Sequence, residues 1–232
     1  SSGYVARLLL ADFSSSGVEY VNLRNANNNL KGYQGGFASA EHAYFVPHNN
    51  GGYHGYVARI NLTDFSDSGV EFFNLADVNS HFKGFHGGFI QGAHVYLVPF
   101  LRSSSAYHGN FVRINMTDFT TSGVESIDLE SVDGNLKGFC GGFVSGDYGY
   151  LVPYRRGNTG TNFPSNGYLA RVLLTDFTSS GVSFLDLSAV HPMLVGFYGG
   201  FAAGNHGYLV PLLSDNGGAN PPANGQGARE YH

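Results

Sequence analysis

Short apolar runs, each bracketed by Gly, Ser, Asn or Asp, follow one another along the whole chain. None carries the i, i+3, i+4 spacing of an amphipathic helix, so the pattern predicts strands. One run stands out: Lys83-Gly84-Phe85-His86-Gly87-Gly88-Phe89, followed by Tyr96-Leu97-Val98-Pro99. It recurs at 31–37, 137–143 and 195–201, and each copy leads to its own Val-Pro at 46–47, 152–153 and 210–211. Adjacent glycines weaken a strand unless something must approach the backbone closely. Four such strands meeting round one axis would supply the reason.

A second segment, Ala-Arg-x-x-Leu-x-Asp-Phe, occurs at 6–13, 58–65 and 170–177, with a variant at 112–119. Its arginines, Arg7, Arg59, Arg113 and Arg171, are 52 (59 − 7), 54 (113 − 59) and 58 (171 − 113) residues apart. A period in the fifties without helical spacing points to propeller blades.

Within one unit the pattern predicts strands A (83–90), B (94–99), C (110–116) and D (124–129). A tight turn at Gly92 joins A to B. A loop beginning at Asp118 joins C to D, with counterparts at Asp12, Asp64 and Asp176. Asp and Ser close such a turn through side-chain hydrogen bonds, and its phenylalanine is expected to plug the loop onto the blade. The chain opens with a C–D pair (4–10, 18–23), passes through three full sets, and closes with an A–B pair (195–202, 206–212). The expected fold is therefore all-β: a four-bladed β-propeller of four-stranded antiparallel blades, its ring closed by two strands from each terminus. One domain is expected over 1–213, with repeats at about 3–54, 55–108, 109–166 and 167–213, and a Gly/Asn/Pro-rich tail or linker at 214–232. Phe37, Phe89, Phe143 and Phe201 are expected to fill the wedges between blades.

This plan resembles the four-bladed architecture of hemopexin-type domains, without their sequence motifs. The repeat itself, with Gly-Gly-Phe, Tyr-Gly-Tyr-Leu-Val-Pro and Ala-Arg-x-x-Leu-x-Asp-Phe in that order, is similar to uncharacterised tandem repeats of microbial eukaryotes. The similarity covers residues 3–213 and implies a secreted or surface-displayed module. It brings no catalytic residues with it.

Composition narrows the function classes. Charged residues make up 12% of the chain, about half the usual share. A net charge of −5 argues against a nucleic-acid partner. No apolar run approaches the roughly 18 residues of a membrane span. Cys140 is the sole cysteine, so an internal disulfide is impossible. Beginning at Ser1-Ser2-Gly3 without an initiator Met, the chain looks like a processed or excised piece.

Ten histidines invite a metal reading. His42, His94 and His206 share one repeat position with Tyr148, and His86 shares another with Gln34, Cys140 and Tyr198. Neither set has the close spacing of a metal motif, so polar rim residues are expected and no metal or cofactor is assigned. The four arginines precede Asp12, Asp64, Asp118 and Asp176 by five residues (12 − 7 in the first unit), and this repeated Arg/Asp pair is expected to be a scaffold contact. No nucleophile–base–oxyanion set emerges, so an enzyme is not expected. Asn61-Leu62-Thr63 and Asn115-Met116-Thr117 are glycosylation sequons at one place in successive units.

Two functions compete. One is a non-enzymatic extracellular or cell-surface structural module, a link of a filament or tandem array whose partner is a copy of itself. The other is a lectin-like propeller binding glycans through an aromatic B–C loop rim: Tyr53, Phe100, Tyr107, Tyr154 and Phe163.

Overall fold

A computed structural model describes residues 1–157 and 164–213; Phe163 and the 214–232 tail lie outside them. The strands are β1 (Tyr4–Leu8), β2 (Val18–Asn22), β3 (Tyr33–Ala38), β4 (His42–Pro47), β5 (Tyr56–Asn61), β6 (Val70–Asn74), β7 (Phe85–Gln91), β8 (His94–Pro99), β9 (Leu101–Ser103) and β10 (Ala106–Tyr107). They continue with β11 (Asn110–Asn115), β12 (Val124–Asp128), β13 (Phe139–Ser145), β14 (Tyr148–Pro153), β15 (Tyr168–Leu173), β16 (Val182–Asp186), β17 (Phe197–Ala203) and β18 (His206–Pro211). Among the described residues the only helical pieces are three-residue 3-10 turns, so the protein is all-β.

Three four-stranded antiparallel sheets form, β3-β4-β5-β6, β7-β8-β11-β12 and β13-β14-β15-β16, each in A–B–C–D order. The expected C–D opening and A–B finish are present as β1–β2 and β17–β18, and these stand as separate two-stranded sheets. β9–β10 is a small hairpin within the second B–C loop.

One register runs through every sheet. In the first, Phe37 faces Tyr44, Tyr44 faces Arg59 and Arg59 faces Glu71. In the second the row is Phe89, Tyr96, Arg113, Glu125, and in the third Phe143, Tyr150, Arg171, Ser183. The two-stranded sheets carry halves of the same row, Arg7 with Glu19 and Phe201 with Tyr208.

The core lies between successive sheets, since each sheet buries one face against the next. Tyr44, Val46, Leu75, Phe85 and Val112 join the first sheet to the second, and Tyr96, Val98, Phe111, Phe139 and Leu151 join the second to the third. Strand A makes this possible. The first glycine of each pair has positive φ (92° at Gly35, 71° at Gly87, 75° at Gly141, 85° at Gly199), and the register shifts there. A Cβ on Gly35 would stand 2.9 Å from the Cα of Gly87, and one on Gly87 3.2 Å from that of Gly141. The glycines are where the inner strands touch. Three of the four wedge phenylalanines follow suit: a Cβ on Gly88 would meet Phe37, one on Gly142 Phe89 and one on Gly200 Phe143, whereas Phe201 is exposed.

The C–D turn closes as expected. Asp64 accepts from Ser66 Oγ (2.6 Å) and Ser68 Oγ (3.0 Å), and Asp118 accepts from Thr120 (2.6 Å) and Ser122 (3.0 Å) in the same way. Asn74, Asp128 and Asp186 then cap a short 3-10 turn after each D strand, placing Leu75 and Leu129 in the core.

Candidate functional site

Asp64, Asp118 and Asp176 each bond within their own turns, so the Arg/Asp pair expected from the spacing is not the contact that forms. Three of the arginines reach from strand C to the following unit. Arg59 lies over the ring of Phe119, 4.4 Å from its centroid, and donates to the carbonyl of Met116 at 2.7 Å. Arg113 lies over Phe177 at 4.3 Å and donates to Leu174 O at 3.1 Å, while Arg7 lies over Phe65 at 4.4 Å and donates to Leu62 O at 2.9 Å. On its own hairpin each arginine pairs with a glutamate: Arg59 with Glu71 and Arg113 with Glu125, both at 2.8 Å, and Arg7 with Glu19. A guanidinium that stacks on one element while hydrogen-bonding two others fixes all three together. The plug phenylalanine therefore serves the sheet before its own. The local signal for this was in the sequence, in the constancy of both Arg and Phe in every unit. Its target was hidden because the contact crosses units.

Arg171 breaks the series. Ser183 replaces the glutamate and accepts from Arg171 Nε at 3.1 Å, and the guanidinium lies over Tyr148 at 4.5 Å. Phe13, the plug of the first C–D turn, is 86% exposed, against 7% for Phe119 and 8% for Phe177.

At the centre, the second histidine set converges. Gln34 Nε2 donates to the hydroxyl of Tyr198 at 3.1 Å, that hydroxyl lies 2.9 Å from His86 Nε2, and Cys140 Sγ lies 3.2 Å from His86 Nδ1. Burial pushes the Cys140 thiol well above its ordinary range and pulls His86 down to about 4, with His48 nearby adding to the latter. A reactive cysteine needs the reverse, a thiolate beside an imidazolium. The cluster is thus a neutral hydrogen-bonded contact among the four A strands. No group of three or more His, Cys, Asp or Glu is placed to hold a metal ion among the described residues. The other histidine set stays dispersed: His42 and His94 each sit against the tyrosine two residues on.

The rim aromatics come together, but on one another. Phe100 and Tyr107 are each 8% exposed and form a cluster with Tyr53 and Tyr154; Phe100 lies 5.5 Å from Tyr107 and 5.8 Å from Tyr154. Their faces are taken up by mutual packing. His54 and His108 seal the same rim. His54 accepts from Tyr56 N at Nδ1 (3.2 Å) and donates from Nε2 to Gly32 O (3.3 Å). Asn166 takes this place in the third unit, accepting from Tyr168 N (3.0 Å) and donating to Lys137 O (2.8 Å).

Asn61 and Asn115 end strand C. Each side-chain oxygen accepts from the sequon threonine, backbone N–H at 2.8 and 2.9 Å and hydroxyl at 2.7 Å in both.

No protein-family model matches the chain, and no curated protein does. Among solved structures, the crystal structure of the computationally designed Ika8 protein aligns with a TM-score of 0.48 at 10% identity, over 83% of this chain. The chain spans 48% of that protein's length. No helix among the described residues is long and apolar enough to cross a membrane.

Proposed function

We propose that this chain is a non-enzymatic structural module, a four-bladed β-propeller displayed outside the cell or on its surface and working as a link in an assembly. Its fourth blade is made from two strands of each chain end. One observation carries the reading: the row Phe-Tyr-Arg crosses all three sheets, ending in Glu71, Glu125 and Ser183, and is cut in two at the ends, as Phe201–Tyr208 and Arg7–Glu19. Joined in the common register, Tyr208 faces Arg7 and a fourth sheet of the same A–B–C–D order results. The cut edges are exposed. Tyr208 is 48% exposed against 2% for Tyr44 and Tyr96, and Val210 is 44% exposed against none for Val46 and Val98. An open strand edge beside an uncovered apolar face invites a partner. The neutral A-strand cluster and self-packed rim support a scaffold role over a catalytic or sugar-stacking one.

Removal of residues 1–24 tests this. It takes away the outer half of the fourth blade and uncovers Phe65, so the thermal midpoint falls and the outward amides of β18 exchange rapidly. An unchanged midpoint together with unchanged exchange at β18 overturns the reading.

A further inference from the structure

Resting on that reading, we propose that β17–β18 is completed by β1–β2 of a second copy of this chain, docked head to tail, with Phe13 of the incoming copy seated in a socket on the sheet β13-β14-β15-β16. The socket is a cavity of about 220 Å³ lined by Tyr150, Leu169, Arg171, Ser183, Phe184 and Leu185.

The same place on the two earlier sheets is full. On the first, Phe119 packs 5.8 Å from Tyr44 and 5.1 Å from Phe73, beneath Arg59. On the second, Phe177 packs 5.8 Å from Tyr96 and 5.5 Å from Phe111, beneath Arg113. Tyr150, Leu169 and Leu185 are the counterparts of those walls on the third sheet, by register with Arg171 and with one another. The phenylalanine that belongs there by order in the repeat is Phe13.

A second half-contact, on the inner side, points the same way. Each wedge phenylalanine rests on the second glycine of the next unit: a Cβ on Gly88 would stand 2.7 Å from Phe37, one on Gly142 3.2 Å from Phe89, and one on Gly200 3.2 Å from Phe143. Phe201 is 54% exposed, and no phenylalanine of a preceding unit lies within 4 Å of a Cβ on Gly36. The socket, Phe201 and the edge of β18 thus sit at one end, while Phe13, Gly36 and the edge of β1 sit at the other. One copy placed after another satisfies all three together.

The inner strands say why the partner is another molecule. Three steps repeat one close approach (a Cβ on Gly35 would stand 2.9 Å from the Cα of Gly87, one on Gly87 3.2 Å from that of Gly141, and one on Gly141 3.2 Å from that of Gly199), whereas a Cβ on Gly199 meets nothing within 4 Å. The Gln34–Tyr198 contact bridges the first and last inner strands through side chains alone. The step missing at Gly199 is the one that Gly35 of a following copy supplies when the β1–β2 hairpin of that copy completes β17–β18.

The test is a cross-link. Phe13→Cys and Leu185→Cys are placed in one chain, whose only other thiol, Cys140, is buried. Phe119→Cys with Phe73→Cys, counterparts at an occupied junction, is the control and bridges within the molecule. Under mild oxidation the head-to-tail arrangement yields a non-reducing ladder at multiples of 24.9 kDa that lengthens with protein concentration. A bridge at monomer mass puts the hairpin on its own chain and overturns the inference, leaving the propeller reading intact. No bridge at all, where the control bridges, overturns the socket. Independently, Phe13→Asp changes an exposed residue and abolishes the larger species in sedimentation velocity. Unaltered assembly of that variant, or a monomeric unmodified protein at all concentrations, overturns the inference as well.

Discussion

Arg59 and Phe119 meet across the boundary between two sheets, the guanidinium carbon 4.4 Å from the ring centroid. Arg59 is 8% exposed and Phe119 7%, so the pair is desolvated on both sides. The glutamate partner Glu71 is open to water by contrast, its side chain 51% exposed. The stack and the carbonyl bond to Met116, rather than the ion pair, therefore hold the junction.

That ordering predicts a graded series in urea. Phe119→Ala removes the plug and costs about 3–5 kcal/mol. Arg59→Lys keeps the charge but loses the planar fork, at about 2 kcal/mol. Glu71→Gln costs at most about 1 kcal/mol, since an exposed ion pair is worth little. Equal losses for Glu71→Gln and Phe119→Ala would put the ion pair in charge instead.

A pH prediction follows from the rim. Burial lowers both His54 and His108 to about 4, opposed in part by hydrogen bonds to backbone carbonyls. Their folded-state values lie below the unfolded value of about 6.5, so the unfolded chain binds more protons between the two. Stability is full above pH about 6.5 and falls as pH drops toward 4. His54→Asn together with His108→Asn, which copies the arrangement at Asn166, flattens that slope while the neutral-pH midpoint shifts little. Thermal melts from pH 7.5 to 4 read both, and an unchanged slope in the double variant assigns the acid sensitivity elsewhere.

The inner glycines separate conformation from contact. Gly87→Ala and Gly92→Ala each force alanine into a positive φ, 71° and 58°, at about 1–2 kcal/mol. Only Gly87 faces another backbone; a Cβ on Gly92 has open space around it. Gly87→Ala should thus cost about 1–3 kcal/mol more. Equal denaturation midpoints for the two variants would mean that the inner strands do not need the close approach.

Glycans are expected on Asn61 and Asn115 of native material. Both sequons end strand C at the rim of successive sheets with the threonine hydroxyl already on the asparagine oxygen. Peptide mass spectrometry finding both asparagines bare would remove this expectation, and with it a main support for an extracellular setting.

Much of the fold was legible because the repeat is short-ranged within a unit. Gly-Gly, Val-Pro and Ala-Arg marked strands whose pairing partners lie one turn away, so strand order and the C–D turn chemistry could be read directly. What connects one unit to the next was not legible in the same way. Arg59 reaches Phe119 across a B–C loop of variable length, and local spacing suggested the nearer Asp64. The packing of the rim was hidden for a related reason: composition shows that Phe100 and Tyr107 are aromatic, but only the fold shows that they pack against each other. His54 and Asn166 share a task that sequence identity conceals, since an imidazole and an amide can each accept one backbone N–H while donating to a carbonyl.

The forward reach of three arginines also sets an order of construction. A sheet acquires its plug only when the C–D turn of the following unit exists, so a chain emerging from its N-terminus always has one uncovered arginine on its newest sheet. Arg59 waits for Phe119, and Arg113 waits for Phe177. Each unit is thus the lid of the one before.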